Sequence, residues 1–379
     1  MTAVIHGFCE PRFEPLREAF KRNFDDGLEL GASLALTWQG RPVVDLWAGW
    51  ADRERTRPWE ENTVTPVAST TKVAMTVCAL TLLDRGLIAL DAPVARYWPE
   101  FAQGGKGEVT ILDALTHQAG VPGFAEPVRF EQVCDWDYIT ARIAAEPHWF
   151  AGERRTAYHS MTYGFPLGEV LRRVDGRKPS QFFREEIAGP FGCDFHMALA
   201  DPAEMARMAE IIPPPPPAAP PPAGTLAARV MGSVLPGGDR HTWAARSMEQ
   251  PGVAGVANGR AIARLTSIMA MGGALEGRTW LSGDLVRDSA TRQAQGHCPL
   301  LGGVAFGLGF GLSSDEYKYP SSTTHGWGGM GGSWALMDPA TGVSLGYAPN
   351  NWSPYGIRID PRLARIGPAL SEVLADLAG

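Results

Sequence analysis

Cysteine and lysine are both scarce in this chain. The five cysteines (Cys9, Cys78, Cys134, Cys193 and Cys298) are odd in number, far apart and without a C-x-x-C pair, which excludes a disulfide framework and a structural zinc site. No apolar run reaches the length that spans a bilayer. The first residues, MTAVIHGFCEPRFEPLREAFKRNF, lack the charged start and apolar run of a signal peptide, so the expectation is a cytoplasmic protein with no membrane partner. A net charge of -7, with 20% charged residues, gives no basic surface for nucleic acid. There is no G-x-S-x-G elbow, no H-E-x-x-H and no dinucleotide glycine fingerprint, so no metal and no cofactor are expected. No internal repeat is visible and nothing sets an oligomeric state. What remains is an ordinary globular balance, 45% hydrophobic over 379 residues, enough to bury a large core and to exceed one compact domain.

The informative stretch is Ser69-Thr70-Thr71-Lys72. From Thr70 to Leu83 the chain reads TTKVAMTVCALTLL, with no proline or glycine and no charge between Lys72 and Asp84, and Gly86 stands just beyond as a stop. A helix apolar all round lies inside a protein or spans a membrane; about 14 residues is too short to span, so this is a core helix. Residues i and i+3 share a face, which brings Ser69 beside Lys72. Burial disfavours an ammonium, so Lys72 can accept the Ser69 proton, and a helix N-terminus favours the developing negative charge. Arginine cannot do this, and of the five lysines (Lys21, Lys72, Lys106, Lys178, Lys318) only Lys72 follows a serine by three positions. The plainer alternative is a capping serine followed by a snorkelling lysine.

Two further segments offer partners. Gly152 to Gly164 (GERRTAYHSMTYG) is turn-like and leads into a helical pattern from Phe165 to Val174. Within it, a phenol at Tyr158 near a lysine has its pKa pulled down and can shuttle a proton, or else serves as an aromatic anchor. His325 to Trp334 (HGWGGMGGSW), then Ala335 to Pro339 and Thr341 to Tyr347, read as a strand, a turn and a returning strand. Glycines within the first strand imply a close approach to its backbone, where a backbone N–H can meet a substrate carbonyl; a Gly-rich bend without chemistry is the alternative. His159 and His325 are each either catalytic assistants or structural hydrogen-bonders.

Together Ser69/Lys72, Tyr158-His159-Ser160 and Trp327-Gly328-Gly329 resemble the three motifs of the serine beta-lactamase and penicillin-binding-protein superfamily, in its class C-like branch with the family VIII carboxylesterases. The resemblance runs over nearly the whole chain and includes a Thr-His-Gln-Ala-Gly turn, Thr116 to Gly120. It implies Ser69 as the acylated nucleophile, Lys72 as its activator and Tyr158 as general base and acid, the first proton acceptor being either of the last two. It implies an oxyanion hole from the N–H groups of Ser69 and Met330, and substrate contacts from Ser160, His325, Trp327, Gly328 and Gly329. Where lactamases carry Lys-Thr-Gly this chain has Trp327-Gly328-Gly329, or His325 onward in a second alignment; the basic residue that holds a lactam carboxylate is displaced or lost. That departure favours uncharged esters, and the missing export signal weighs against a lactamase or cell-wall peptidase. The implied activity is a carboxylesterase acting on short-chain, small-molecule esters, with a lactamase or DD-peptidase, an acyltransferase, or a non-catalytic binding homologue as alternatives.

The expected fold class is α+β: an antiparallel sheet flanked by helices, with an inserted mostly helical domain, and by the resemblance beta-lactamase-like. Helical pattern covers Glu14 to Asp26; strands cover Ala32 to Trp38 and Pro42 to Trp50, turning at Gly40. Helices dominate from Ser69 to Ala209 and return at Gly259 to Met271 and Leu281 to Arg292. Strands follow at Gly307 to Leu312, Ser333 to Met337 and Val343 to Ala348, then a helix from Asp360 to Leu377. The division is residues 1–68 plus 250–379 for the sheet domain and 69–249 for the helical one. Pro213 to Gly224 (PPPPPAAPPPAG) reads as a stiff surface loop.

Overall fold

Both ends of the chain supply the central sheet. The computed structural model describes residues 3–214, 221–235, 237, 239, 241–353 and 360–379, so part of the proline-rich stretch, 215–220, lies outside the described residues. Among the described residues nine strands pair: β1 (Ile5–Cys9), β2 (Gly31–Trp38), β3 (Arg41–Gly49), β4 (Ala294–Cys298), β5 (Gly302–Phe306), β6 (Gly311–Leu312), β7 (His325–Gly328), β8 (Trp334–Asp338) and β9 (Val343–Pro349). Their order is β1-β3-β2-β9-β8-β7-β6-β5-β4, with every neighbouring pair antiparallel. The fold is beta-lactamase-like, of mixed helix and antiparallel sheet.

Helices cover both faces, and this explains why β8 and β9 are buried at every position instead of alternating. On one face lie α1 (Glu14–Asp25) and α5 (Leu363–Ala378), packing Leu16, Phe20, Ile366 and Leu370 onto Leu34, Leu345 and Tyr347. On the other lies α4 (Gly259–Ala270), with Ile262 and Leu265 in one core with Ala335 and Met337. The hairpin between β2 and β3 turns on Gln39 (φ 51°) and Gly40 (φ 73°), the paired positive dihedrals of a tight two-residue loop.

The helix beginning at the serine motif, α2 (Thr71–Asp84), is buried from Thr71 to Leu82 and forms the axis of the helical region. It packs with α3 (Gly164–Asp175), the helix expected after the tyrosine segment. The core around α2 runs without a break into Trp327, Ala335, Met337 and Ala348 of the sheet, so helices and sheet share one hydrophobic interior.

Three strands escaped the sequence reading, β1, β4 and β5, and the strand expected over Gly307 to Leu312 forms only at its end, as β6. Each contains glycine, and none alternates cleanly between buried and exposed residues. The helix expected over Leu281 to Arg292 is shorter, Gly283–Ser289, and β4 follows it.

Candidate active site

Ser69 sits on a sharp turn at the foot of α2. Val67 is tied to the neighbouring segment through its N–H to the Gly255 carbonyl at 2.9 Å, and Ala68 then takes a left-handed φ of 45°. A non-glycine residue pays for that conformation only where its surroundings enforce it. Here four hydroxyl contacts do so. Thr71 Oγ1 donates to the Ala68 carbonyl at 2.5 Å and accepts the Gly255 N–H at 2.8 Å. Ser333 Oγ donates to the Val67 carbonyl at 2.7 Å and lies 2.9 Å from Thr70 Oγ1. The turn presents Ser69, 8% exposed, at the floor of a cavity.

Lys72 lies one helical turn on and is 1% exposed. Its Nζ is 3.2 Å from Ser69 Oγ and donates to the carbonyls of Ser160 at 2.8 Å and Gly252 at 2.9 Å. Burial pushes the amine well below the ordinary lysine range. The rings of Tyr158 and Tyr163 stand 5.0 and 5.7 Å from it.

Tyr158 donates its hydroxyl to Ser69 Oγ at 2.7 Å and accepts from the Trp327 indole N–H at 3.4 Å. The sequence reading expected the lysine to pull this phenol down; instead burial pushes it up to about 12, and only its hydrogen bonds with Ser69 and Trp327 act the other way. Desolvation of a phenolate wins over attraction to an amine that is itself disposed to be neutral.

The other motif residues divide. Ser160 and Gly328 line the cavity, and Ser160 also supplies the carbonyl that holds Lys72. Gly329 is where the third motif meets the serine turn: a Cβ there would stand 2.2 Å from the Val67 carbonyl oxygen and 2.4 Å from Ser333 Oγ. Met330 is 54% exposed at the cavity mouth, and its N–H meets no acceptor among the described residues. Trp327 turns its donor to Tyr158 and keeps its ring 5.4 Å from that of Phe306.

His325 is not brought to the cavity. It pairs with Met337 across the sheet, two positions before Trp327, and so lies about 7 Å farther along the strand. Its ring stands against Phe310 at 5.7 Å and its Nδ1 faces the Thr323 carbonyl at 3.0 Å. His159 is likewise a buried strut: Nε2 accepts the Val121 N–H at 3.1 Å, Nδ1 faces the Ala157 carbonyl at 2.6 Å, and burial lowers the ring to about 4.

His117, in the Thr116 to Gly120 turn, was not singled out from the sequence. It adopts φ 61°, its carbonyl accepts the Ala157 N–H at 3.0 Å and its Nδ1 accepts the His159 N–H at 3.1 Å, so it grips the chain on both sides of Tyr158. Its ring stands 5.0 Å from that of Tyr158. The only sequence signal is a histidine in a turn closed by Gly120. The Gly252 carbonyl had no signal at all, because a main-chain acceptor leaves no mark on residue type.

The cavity encloses about 260 Å³. Phe130, Met161, Leu301 and Trp352 give it apolar walls, with Arg246 and Gln250 among its polar residues. Among the described residues one cluster, Asp194, His196 and Glu204, brings three potential metal ligands together elsewhere. Arg207 forks onto Asp194 at 2.8 and 2.9 Å and also reaches Glu204, so those carboxylates are already paired.

Residues 20–366 match the family model described as Beta-lactamase. The esterase/beta-lactamase LipL of Mycobacterium tuberculosis is 34% identical over 363 residues, covering 91% of this chain and 83% of that protein. A solved family VIII carboxylesterase superposes with a TM-score of 0.89 at 35% identity, over 98% of this chain and all of the other. A penicillin-binding-protein homologue from Caulobacter crescentus gives 0.88 at 36% identity, with the same coverage. No helix among the described residues is long and apolar enough to cross a membrane.

Proposed function

The chain belongs to the beta-lactamase family and is a hydrolase of the beta-lactamase fold, and from that premise we propose that it is a carboxylesterase cleaving small, uncharged, short-chain esters through an acyl-Ser69 intermediate. The observation that carries this reading is the convergence of Lys72 Nζ and the Tyr158 hydroxyl on Ser69 Oγ, at 3.2 and 2.7 Å.

The opposed pKa directions, with the two contacts on Ser69 Oγ, support one proton route over the other. A buried amine held well below its usual range is the better acceptor for the Ser69 proton, while a phenol raised to about 12 keeps its own proton to give. In acylation, Ser69 Oγ bonds to the ester carbonyl carbon, its proton passes to Lys72, and the tetrahedral oxyanion is met by the N–H groups of Ser69 and Met330. The C–O bond to the alcohol then breaks, and Tyr158 protonates the leaving oxygen. In deacylation the Tyr158 phenolate takes a proton from water, the hydroxide attacks the acyl carbon, and Lys72 returns its proton to Ser69. The indole N–H of Trp327 steadies the phenolate between the two stages.

The walls of the cavity support this substrate class. The apolar residues Phe130, Met161 and Leu301 and the modest volume suit a small acyl group. The family VIII carboxylesterase neighbour supports ester over lactam, whereas the name of the M. tuberculosis relative keeps lactam opening as the rival. The cytoplasmic location belongs to the same proposal. Turnover of a chromogenic butyrate ester set against a chromogenic cephalosporin separates the readings: fast lactam opening with little ester cleavage would replace the esterase by a lactamase.

A further inference from the structure

Behind the cavity wall the guanidinium of Arg362, 1% exposed, has all five of its N–H groups engaged. Nε and Nη2 fork onto Asp360 at 2.9 and 2.6 Å. Nη1 reaches both oxygens of Glu29 at 3.2 Å and the Asn351 carbonyl at 2.6 Å. The last N–H, on Nη2, goes to the carbonyl of Gly331. Glu29 is in turn bonded by the Tyr347 hydroxyl.

What Arg362 holds is the segment that follows Trp327. In a trans peptide the C=O and N–H point in opposite directions from one plane. Fixing the Gly331 carbonyl on Arg362 therefore fixes the Gly332 N–H on the other side, and that N–H donates to the Gly329 carbonyl at 3.1 Å. The Gly329 carbonyl shares its peptide plane with the Met330 N–H, which is thereby aimed the opposite way. Two glycines allow this: Gly331 and Gly332 have φ of 95° and 102°, and a Cβ on Gly332 would stand 2.1 Å from Arg362 Nη2. A Cβ on Gly331 would meet the ring of Trp352, a wall residue of the cavity, at 2.5 Å. Arg362 also holds the Asn351 carbonyl beside Trp352, so one side chain ties together two segments of the wall.

We propose that Arg362 is a positioning residue for the oxyanion site: through the Gly331–Gly332 and Gly329–Met330 peptides it sets the direction of the Met330 N–H without touching substrate. The inference rests on the proposed acyl-serine reading.

The test is steady-state kinetics of Arg362→Lys on a chromogenic butyrate ester, with the inhibition constant of an alkyl boronic acid, which Ser69 would convert to a tetrahedral anion. Lysine keeps the charge but loses the fork. The expected result is a fall in kcat of about a hundredfold, the scale of losing one oxyanion donor, with KM within threefold and boronate affinity weakened in parallel with kcat/KM. A folded Arg362→Lys enzyme with kcat and boronate affinity within threefold of wild type overturns the proposal. If that variant does not fold, Asp360→Asn decides: its amide opposes one N–H of the fork, so kcat should fall at least tenfold, and unchanged kcat overturns the proposal. Ser69→Ala, run alongside, keeps the two readings apart: activity surviving there defeats the nucleophile, whereas a dead Ser69→Ala beside an active Arg362→Lys defeats only the present inference.

Discussion

Lys72 Nζ stands 3.2 Å from Ser69 Oγ while its other two donor directions end on the Ser160 and Gly252 carbonyls. In its neutral form the amine has two N–H groups and one lone pair, and with both carbonyls bonded that lone pair would face the serine. Lys72→Arg, charged at every working pH, should lower kcat at least a thousandfold with the far-ultraviolet dichroism of wild type; substantial activity in it would remove the lysine from the proton route.

The pH profile follows from the same pair. The base must be neutral, so kcat/KM should rise through a limb lying well below the ordinary lysine range. The acid must be protonated, so the fall belongs on the far alkaline side, toward the raised phenol. Both apparent values belong to the coupled pair. A profile still rising above pH 10 would contradict a depressed amine.

Trp327 supplies the indole N–H directed at the Tyr158 oxygen. Trp327→Phe removes that donor and keeps the ring, and at about 1 kcal/mol for such a bond kcat should fall roughly fivefold. Trp327→Lys should also raise cephalosporin opening relative to ester cleavage, since it restores a cation for the lactam carboxylate; the ratio of the two turnovers measures this.

Gly329 lies against the serine turn, where an added Cβ would be 2.2 Å from the Val67 oxygen. Gly329→Ala should destabilise the fold by about 2–4 kcal/mol, read by urea unfolding, and should lower kcat by more than tenfold because the neighbour that must shift is the turn carrying Ser69.

Burial raises Glu29 to about 7 from an unfolded value of 4.5. The folded protein therefore binds this proton more tightly, and the associated stability is present below pH 4.5 and lost as pH rises through 7. Urea unfolding across pH 4.5 to 7 should show the decline, and Glu29→Gln should flatten it.

The sequence made the site legible where chemistry requires a residue type at a fixed spacing. Ser69 and Lys72 needed only helical periodicity, and the all-round apolar α2 followed from the absence of any charge between Lys72 and Asp84. Tyr158 could be placed only through its resemblance to a motif, because nothing local links it to a helix foot 89 residues away. The direction of its pKa was misread, since desolvation is a property of the packed site. His325 was drawn in by motif proximity, yet strand register carries it past the cavity to Phe310. Arg362 had no signal at all: its partners Glu29, Gly331 and Asn351 come from both ends of the chain and meet only once the sheet has formed.

The most direct measurement of the central claim is turnover of a chromogenic butyrate ester and a chromogenic cephalosporin by the wild type and by Ser69→Ala at equal concentration. The wild type should cleave the ester readily and open little lactam, and Ser69→Ala should lose both activities with folding unchanged. Ester cleavage persisting in Ser69→Ala would contradict the central claim.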